Sequence, residues 1–305
     1  MPLPWLEGLY QQLAQSFAQQ RFHHAQLFNG DKGVGKQCLV DSLADGLLCT
    51  SPVNLKACGN CKSCQLNQAG THPDKRVVKV EGQTIGVDEI REISDFINHS
   101  AAQNGNKVVV LEQCHKMTTA AANALLKTLE EPSLRRYLLL TCEQTALLPA
   151  TILSRCAVHE IKVNPEYTTQ WLTSLNIANY SWLELFARQP LLVQKWQNDN
   201  QLEAIDSLFK FATEIKDSHN FSALVDILNK DHSLVNVFAL FLTEHLKTQL
   251  VLGMDFFNYQ KAQSAISEFL YNSSHVLGLN LELAISQLAF TLRESQNQEV
   301  SCKNY

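Results

Sequence analysis

Residues Gly30-Asp31-Lys32-Gly33-Val34-Gly35-Lys36-Gln37 match the phosphate-binding pattern Gly, four residues, Gly, Lys at every position but the last. In such a loop the backbone N–H groups and the lysine hold phosphates, and a closing Ser or Thr hydroxyl holds Mg²⁺. Gln37 occupies that closing position with an amide on a long, flexible stem. A second chemical group follows: Cys49, then Cys58-Gly59-Asn60-Cys61-Lys62-Ser63-Cys64. Thiolates at this spacing can close a tetrahedral zinc site, and Gly59 permits the tight turn of a metal knuckle. Cys49 and His72 compete for the fourth ligand place. Four protein ligands leave no open position, so such a zinc is structural. A thioredoxin-like redox motif would need a strand-to-helix setting that is absent here. The third group is Glu112-Gln113, at the end of an apolar run. Nucleotide hydrolases place an Mg²⁺-binding Asp there, often with a Glu that activates water. The amide of Gln113 cannot serve as a general base.

These groups need a scaffold, and apolar periodicity supplies one. Trp5, Leu6, Leu9, Leu13 and Phe17 lie at helical spacing within residues 5–19. Ala25 to Phe28 reads as a strand entering the glycine loop. Leu39, Val40, Leu43, Leu47 and Leu48 continue as a helix, and strand, loop, helix is the context a phosphate loop requires. Further strands are expected at Val77–Val80, Lys107–Gln113, Tyr137–Thr141 and Val158–Val163. Helices are expected from Val87 and over Ala120–Leu129, the latter closed by Glu130-Glu131-Pro132. Acidic residues in the first turn after Val87 suit the helix dipole. Strands alternating with helices predict a doubly wound parallel α/β domain over residues 1–163. Beyond Asn164-Pro165 three short helices are expected in 164–200. Longer ones follow from 201: Leu202–Ile215, Phe221–Leu228, Leu234–Leu252, Ala262–Leu277 and Leu281–Leu292. The polar tail from Ser295 to Tyr305 is expected to fray.

Composition narrows the function classes. The chain of 305 residues is 45% hydrophobic and 18% charged, as in a globular protein with room for two or three domains. No apolar run approaches the roughly 20 residues needed to span a bilayer. The N-terminus lacks a basic segment followed by a long apolar core, so no secretory signal and a cytoplasmic location are expected. Nine cysteines would then be reduced, which favours metal or structural thiols over disulfides. A net charge of −5, with no long basic cluster, argues against a strong autonomous nucleic-acid binder.

Taken together, these residues resemble the AAA+ clamp-loader family of bacterial DNA replication. The carrying features are the defective loop at 30–37, the cysteines at 49–64 and Ala69-Gly70-Thr71-His72-Pro73-Asp74. To these are added Ala121-Ala122-Asn123-Ala124-Leu125-Leu126-Lys127-Thr128-Leu129-Glu130-Glu131-Pro132 and Ser154-Arg155-Cys156. The likeness is strong over 20–165 and architectural beyond. It implies an AAA+, RecA-like parallel-sheet domain (1–163) with an inserted zinc module (49–72), a small helical lid domain (164–200) and an all-α C-terminal collar domain for oligomerisation (201–305). It implies a stationary, non-hydrolysing subunit within a DNA-directed DNA polymerase complex at the nucleoid-associated replisome. Its expected partners are ATP-hydrolysing motor subunits (gamma/tau) and a clamp-opening delta subunit, with the sliding clamp and primed DNA reached through the complex. Gly30, Gly35 and Lys36 would be a vestigial phosphate-binding loop, with ATP not hydrolysed by this chain. The metal would be structural Zn²⁺ on Cys49, Cys58, Cys61 and Cys64. Arg155 would reach into a neighbour's ATP site as an arginine finger in trans; spacing alone equally allows it a local ion pair. The helix after Gln189-Pro190 offers Leu192 where a γ-phosphate-sensing Arg would be expected.

Two other readings compete. The chain is an active AAA+ ATPase if Glu112 takes the Mg²⁺ role and water replaces the missing hydroxyl; the joint loss at Gln37 and Gln113 weighs against this. It is a zinc-dependent DNA-binding module if the cysteine cluster presents Lys56 and Lys62 to phosphate; the acidic balance weighs against that.

Overall fold

Val108 and Val110 point to one face of a sheet and Val109 and Leu111 to the other, and all four are fully or almost fully buried. Such a strand must be covered by helices on both sides, which is why its sequence is continuously apolar rather than alternating. The computed structural model describes residues 3–297 other than 81, 104, 178–179, 216–220 and 277, with side chains to Ser295. The expected fraying of the tail falls mostly on residues 298–305, outside the described residues.

Five parallel strands, β1 (Ala25–Asn29), β2 (Lys75–Val78), β3 (Lys107–Leu111), β4 (Arg136–Cys142) and β5 (Ala157–Glu160), lie in the order β2-β3-β4-β1-β5. Helices α1 (Glu7–Ala18) and α2 (Lys36–Leu48) cover the face that carries Phe28, Val108, Val110 and Leu139. Helices α4 (Val87–Asn98) and α5 (Thr119–Glu130) cover the face that carries Leu27, Val109, Leu138 and Leu140. Between them in sequence lies the short α3 (Lys62–Gln68). Thr118 caps α5, its side chain accepting from the Ala121 N–H.

Both edge strands end earlier than apolar spacing suggested, β2 at Val78 and β5 at Glu160, for a pairing reason. β2 has β3 as its one neighbour, and their register ends at Val78 opposite Leu111, so Val80 has no ladder partner. β5 pairs with β1, which ends at Asn29 opposite Glu160. Ile161 and Val163 therefore leave the sheet while staying buried.

The chain divides into two compact units, Met1–Asn179 with Leu183–Gln194, and Tyr180–Trp182 with Lys195–Tyr305. The first holds the sheet, α6 (Ala150–Leu153) and α7 (Pro165–Ser174), and the division falls within α8 (Pro190–Asn198). The second is helical: α9 (Leu202–Glu214), α10 (Ser222–Lys230), α11 (Leu234–Val251), α12 (Phe256–His275) and α13 (Leu281–Asn297). Its core is built on Trp182, Leu208, Phe238, Phe241 and Ile285, with α11 packed on both α9 and α12. Among the described residues no helix is long and apolar enough to cross a membrane.

Candidate functional site

The glycine loop joins β1 to α2 at the C-terminal end of the sheet, with Gly33 at φ 82° and Gly35 at φ 92°. Those left-handed conformations are open to glycine and strained for other residues. Space matters at Gly35 as well: a Cβ there would lie 2.2 Å from Leu3 Cδ1 and 3.2 Å from Leu6 Cδ1. The N-terminal segment thus closes on the loop, and the Trp5 indole N–H donates to Val34 O at 2.8 Å. From the other side the Leu191 N–H donates to Gly33 O at 3.2 Å. Leu191, rather than Leu192, is the residue of α8 that lines the loop.

Lys36 is buried, and its ammonium donates to Gly30 O at 2.7 Å and Asp31 O at 2.8 Å. Burial holds its pKa below the usual lysine value. The charge that would meet a phosphate is therefore satisfied by the loop's own carbonyls. Gln37 is turned along α2 to Asp41, 3.1 Å away. Glu112 faces Lys79 at 3.5 Å. Gln113, at φ 50°, donates its N–H to Thr141 Oγ1. A cavity of about 190 Å³ beside these groups is lined by Lys36, Gln37, Glu112, Gln113 and Thr141.

Cys49, Cys58, Cys61 and Cys64 bring four Sγ atoms within 4.8 Å of one another. Cys49–Cys61 and Cys58–Cys64 are 3.9 Å apart, and Cys61–Cys64 is 3.4 Å. Four thiolates at Zn–S distances near 2.3 Å would stand about 3.8 Å apart, so the group fits zinc. Backbone N–H groups of Cys58 and Cys64 point at the sulfurs of Cys49 and Cys61, 3.3 and 3.4 Å away. A hydrogen bond from the Thr50 side chain helps hold Cys61 down at about 5, while burial pushes Cys64 up to about 12. α2 reaches this module through Gly46, where a Cβ would sit 1.6 Å from Leu55 O. Only glycine allows that approach.

His72 stands outside the sulfur cluster, with both ring nitrogens engaged. Nδ1 accepts from the Asp74 N–H at 3.0 Å, so the proton is assigned to Nε2, which donates to Ser63 Oγ at 2.6 Å. Ser63 in turn donates to Leu48 O. This chain of bonds ties α3 to α2 beneath the cysteines. Lys56 is paired with Glu7 at 3.7 Å.

Arg155 follows α6 in a turn. Its Nη1 donates to Thr151 O at 2.9 Å and its Nη2 pairs with Glu130 Oε1 at 2.7 Å. Among the described residues none of its hydrogen bonds goes to residues 30–37. Burial pushes the neighbouring Cys156 thiol up to about 11.

Residue spacing had no means of revealing the groups that fill the loop. Leu3, Trp5 and Leu191 are ordinary apolar residues in sequence, and only their packing on Val34 and Gly35 gives them a role.

The family described as DNA polymerase III, delta subunit, matches residues 5–165, just over half of the chain. The DNA polymerase III subunit delta' of Haemophilus influenzae is 45% identical over 173 residues, 56% of this chain and 53% of that protein. Its Escherichia coli counterpart is 42% identical over 173 residues, 56% of this chain and 52% of that protein. The chain spans about half the length of these curated relatives. A solved DNA polymerase III gamma subunit-related protein of Thermotoga maritima superposes with a TM-score of 0.58 at 20% identity, covering 93% of this chain and 99% of that one. At that identity the likeness concerns the fold, and it agrees with the AAA+-type architecture expected from the motifs.

Proposed function

We propose, because the chain belongs to the family described as DNA polymerase III, delta subunit, that it is the non-hydrolysing subunit of a clamp loader. Its work is to complete a neighbour's ATP site and not to turn over ATP itself. The observation that carries this reading is Lys36, whose ammonium is held by Gly30 O and Asp31 O within its own loop. A phosphate would have to displace both bonds, and Gln37 would still offer no hydroxyl for Mg²⁺. Water activation fails too, since Gln113 has no basicity near neutral pH.

The residue that acts is Arg155. A guanidinium at a γ-phosphate stabilises charge spread over equatorial oxygens in the transition state, with two forked donors that lysine cannot reproduce. In this chain the guanidinium rests on Glu130 and Thr151 at the surface, ready to be exchanged for a neighbour's nucleotide. The neighbours would be motor subunits of the gamma/tau kind and a clamp-opening delta subunit, acting on a sliding clamp and primed DNA. A DNA polymerase III tau subunit of Salmonella typhimurium is 35% identical over 150 residues, 49% of this chain and 23% of that protein, which supports partners of that kind. Zinc on Cys49, Cys58, Cys61 and Cys64 would cross-link the excursion between α2 and β2 and take no part in chemistry.

The test is turnover by the purified chain with Mg²⁺ and ATP, alongside capture of motor subunits from a mixture. No hydrolysis above background, with motor subunits retained, is expected. Robust turnover that disappears in Lys36→Ala refutes the reading.

A further inference from the structure

A cavity of about 910 Å³ opens at the N-terminal ends of β1, β3 and β4, the end of the sheet opposite the glycine loop. It lies in the size range of ligand sites. One wall is aromatic: Phe17, Phe22 and Tyr137 meet edge to face, with centroids 5.6–6.3 Å apart. On its rim Leu134 is 92% exposed, next to Arg135. Arg135 sits at φ 59°, a strained conformation for a residue with a side chain. Lys62, on the metal-binding module, lines the same cavity.

The charges here are one-sided. Neither Arg135 nor Lys62 has an ion-pair partner among the described residues. Among the described residues the one carboxylate lining the cavity, Asp74, is buried and already accepts the N–H groups of Ala102 and Gln103 at 2.8 and 2.9 Å. A ligand that suits this cleft is therefore anionic and brings apolar surface for Leu134 and the aromatic wall.

We propose that the cleft binds a short acidic peptide segment of a partner protein, with an apolar side chain against Phe17, Phe22, Tyr137 and Leu134 and carboxylates on Arg135 and Lys62. Single-stranded nucleic acid fits less well. It needs free aromatic faces for base stacking and a track of cations along the backbone. Here the rings are edge-packed on one another, and two cations do not make a track. The proposal is independent of the ATP site and of Arg155.

The test is fluorescence anisotropy of the full chain with a dye-labelled peptide of four aspartates followed by leucine and phenylalanine. The same peptide with asparagines and a twelve-nucleotide oligothymidine serve as comparisons. Saturable binding of the acidic peptide is expected, weakened by salt and reduced roughly tenfold by the neutral peptide, by Arg135→Glu and by Leu134→Ser. Both substitutions are on the surface, and circular dichroism and zinc content should remain those of the unaltered chain. Absence of saturable binding overturns the proposal, as does binding that both variants leave unchanged. Oligothymidine binding that the same variants abolish would assign the cleft to nucleic acid instead.

Discussion

Arg155 and Glu130 are joined by a 2.7 Å ion pair that ties the Ser-Arg-Cys turn to the last residue of α5. Two of the motifs that carry the family resemblance are therefore in contact through their charged residues. Both side chains are partly exposed, 35% for Arg155 and 49% for Glu130. Exposed pairs of this kind contribute about 0.2–1 kcal/mol. A finger that speeds hydrolysis 10³-fold stabilises a transition state by roughly 4 kcal/mol. If Arg155 is such a finger, the larger effect wins, and the surface pair is no obstacle to its leaving Glu130 for a neighbouring nucleotide.

The isolated chain should accordingly tolerate loss of the pair. Arg155→Ala and Glu130→Gln are each expected to lower unfolding free energy by less than about 1 kcal/mol. Urea denaturation measures it. A loss above about 2 kcal/mol for Arg155→Ala would make this arginine a structural residue.

The metal assignment separates Cys49 from His72. Protein prepared without chelators is expected to carry one zinc, and Cys49→Ser to lose it. His72→Ala should keep the zinc while weakening the fold by about 1–3 kcal/mol, because Ser63 loses a buried donor. Elemental analysis and denaturation read the two effects separately. Zinc retained in Cys49→Ser and lost in His72→Ala would reverse the assignment.

Stability should fall in mild acid. Burial holds His159 and His24 below the ordinary histidine value. His159 stacks on Phe28 at 5.3 Å, with Nε2 2.6 Å from Gln26 Oε1. The folded state prefers the neutral rings, whereas the unfolded chain takes up protons near pH 6.5. Their contribution is thus full above that pH and is lost as pH drops below it toward the lowered folded values. Urea unfolding at pH 7.5 and 5.5 should show the lower stability at 5.5, with a smaller difference in His159→Phe. Equal or greater stability at pH 5.5 would contradict this.

How much of this was legible in the sequence follows a physical divide. β3 and β4 stood out because strands buried on both faces are continuously apolar, and α5 because helix-favouring residues run unbroken to Pro132. Helix α3 did not, since its seven residues are mostly polar and it is started by Cys61 Sγ accepting the Cys64 N–H rather than by an apolar stripe. The ends of β2 and β5 were set by where their single neighbours stop. At the candidate site, the substitutions at Gln37 and Gln113 were readable because they replace named chemical parts. The filling of the loop by Lys36 and its covering by Leu3 and Leu191 depend on tertiary packing that residue types do not encode. That His72 stands apart from the cysteines, with both ring nitrogens engaged by Ser63 and Asp74, likewise depends on tertiary packing.

The most direct measurement rebuilds the clamp-loader complex with Arg155→Ala chain and compares DNA- and clamp-stimulated ATP hydrolysis and clamp loading with the unaltered complex. Such a finger accounts for about 10³–10⁵ in kcat at its own site. On the proposed reading this chain completes one site among several, so total hydrolysis should fall partially and loading more severely, with assembly and zinc content intact. Unchanged loading by a fully assembled mutant complex would contradict the account and leave Arg155 as the surface partner of Glu130.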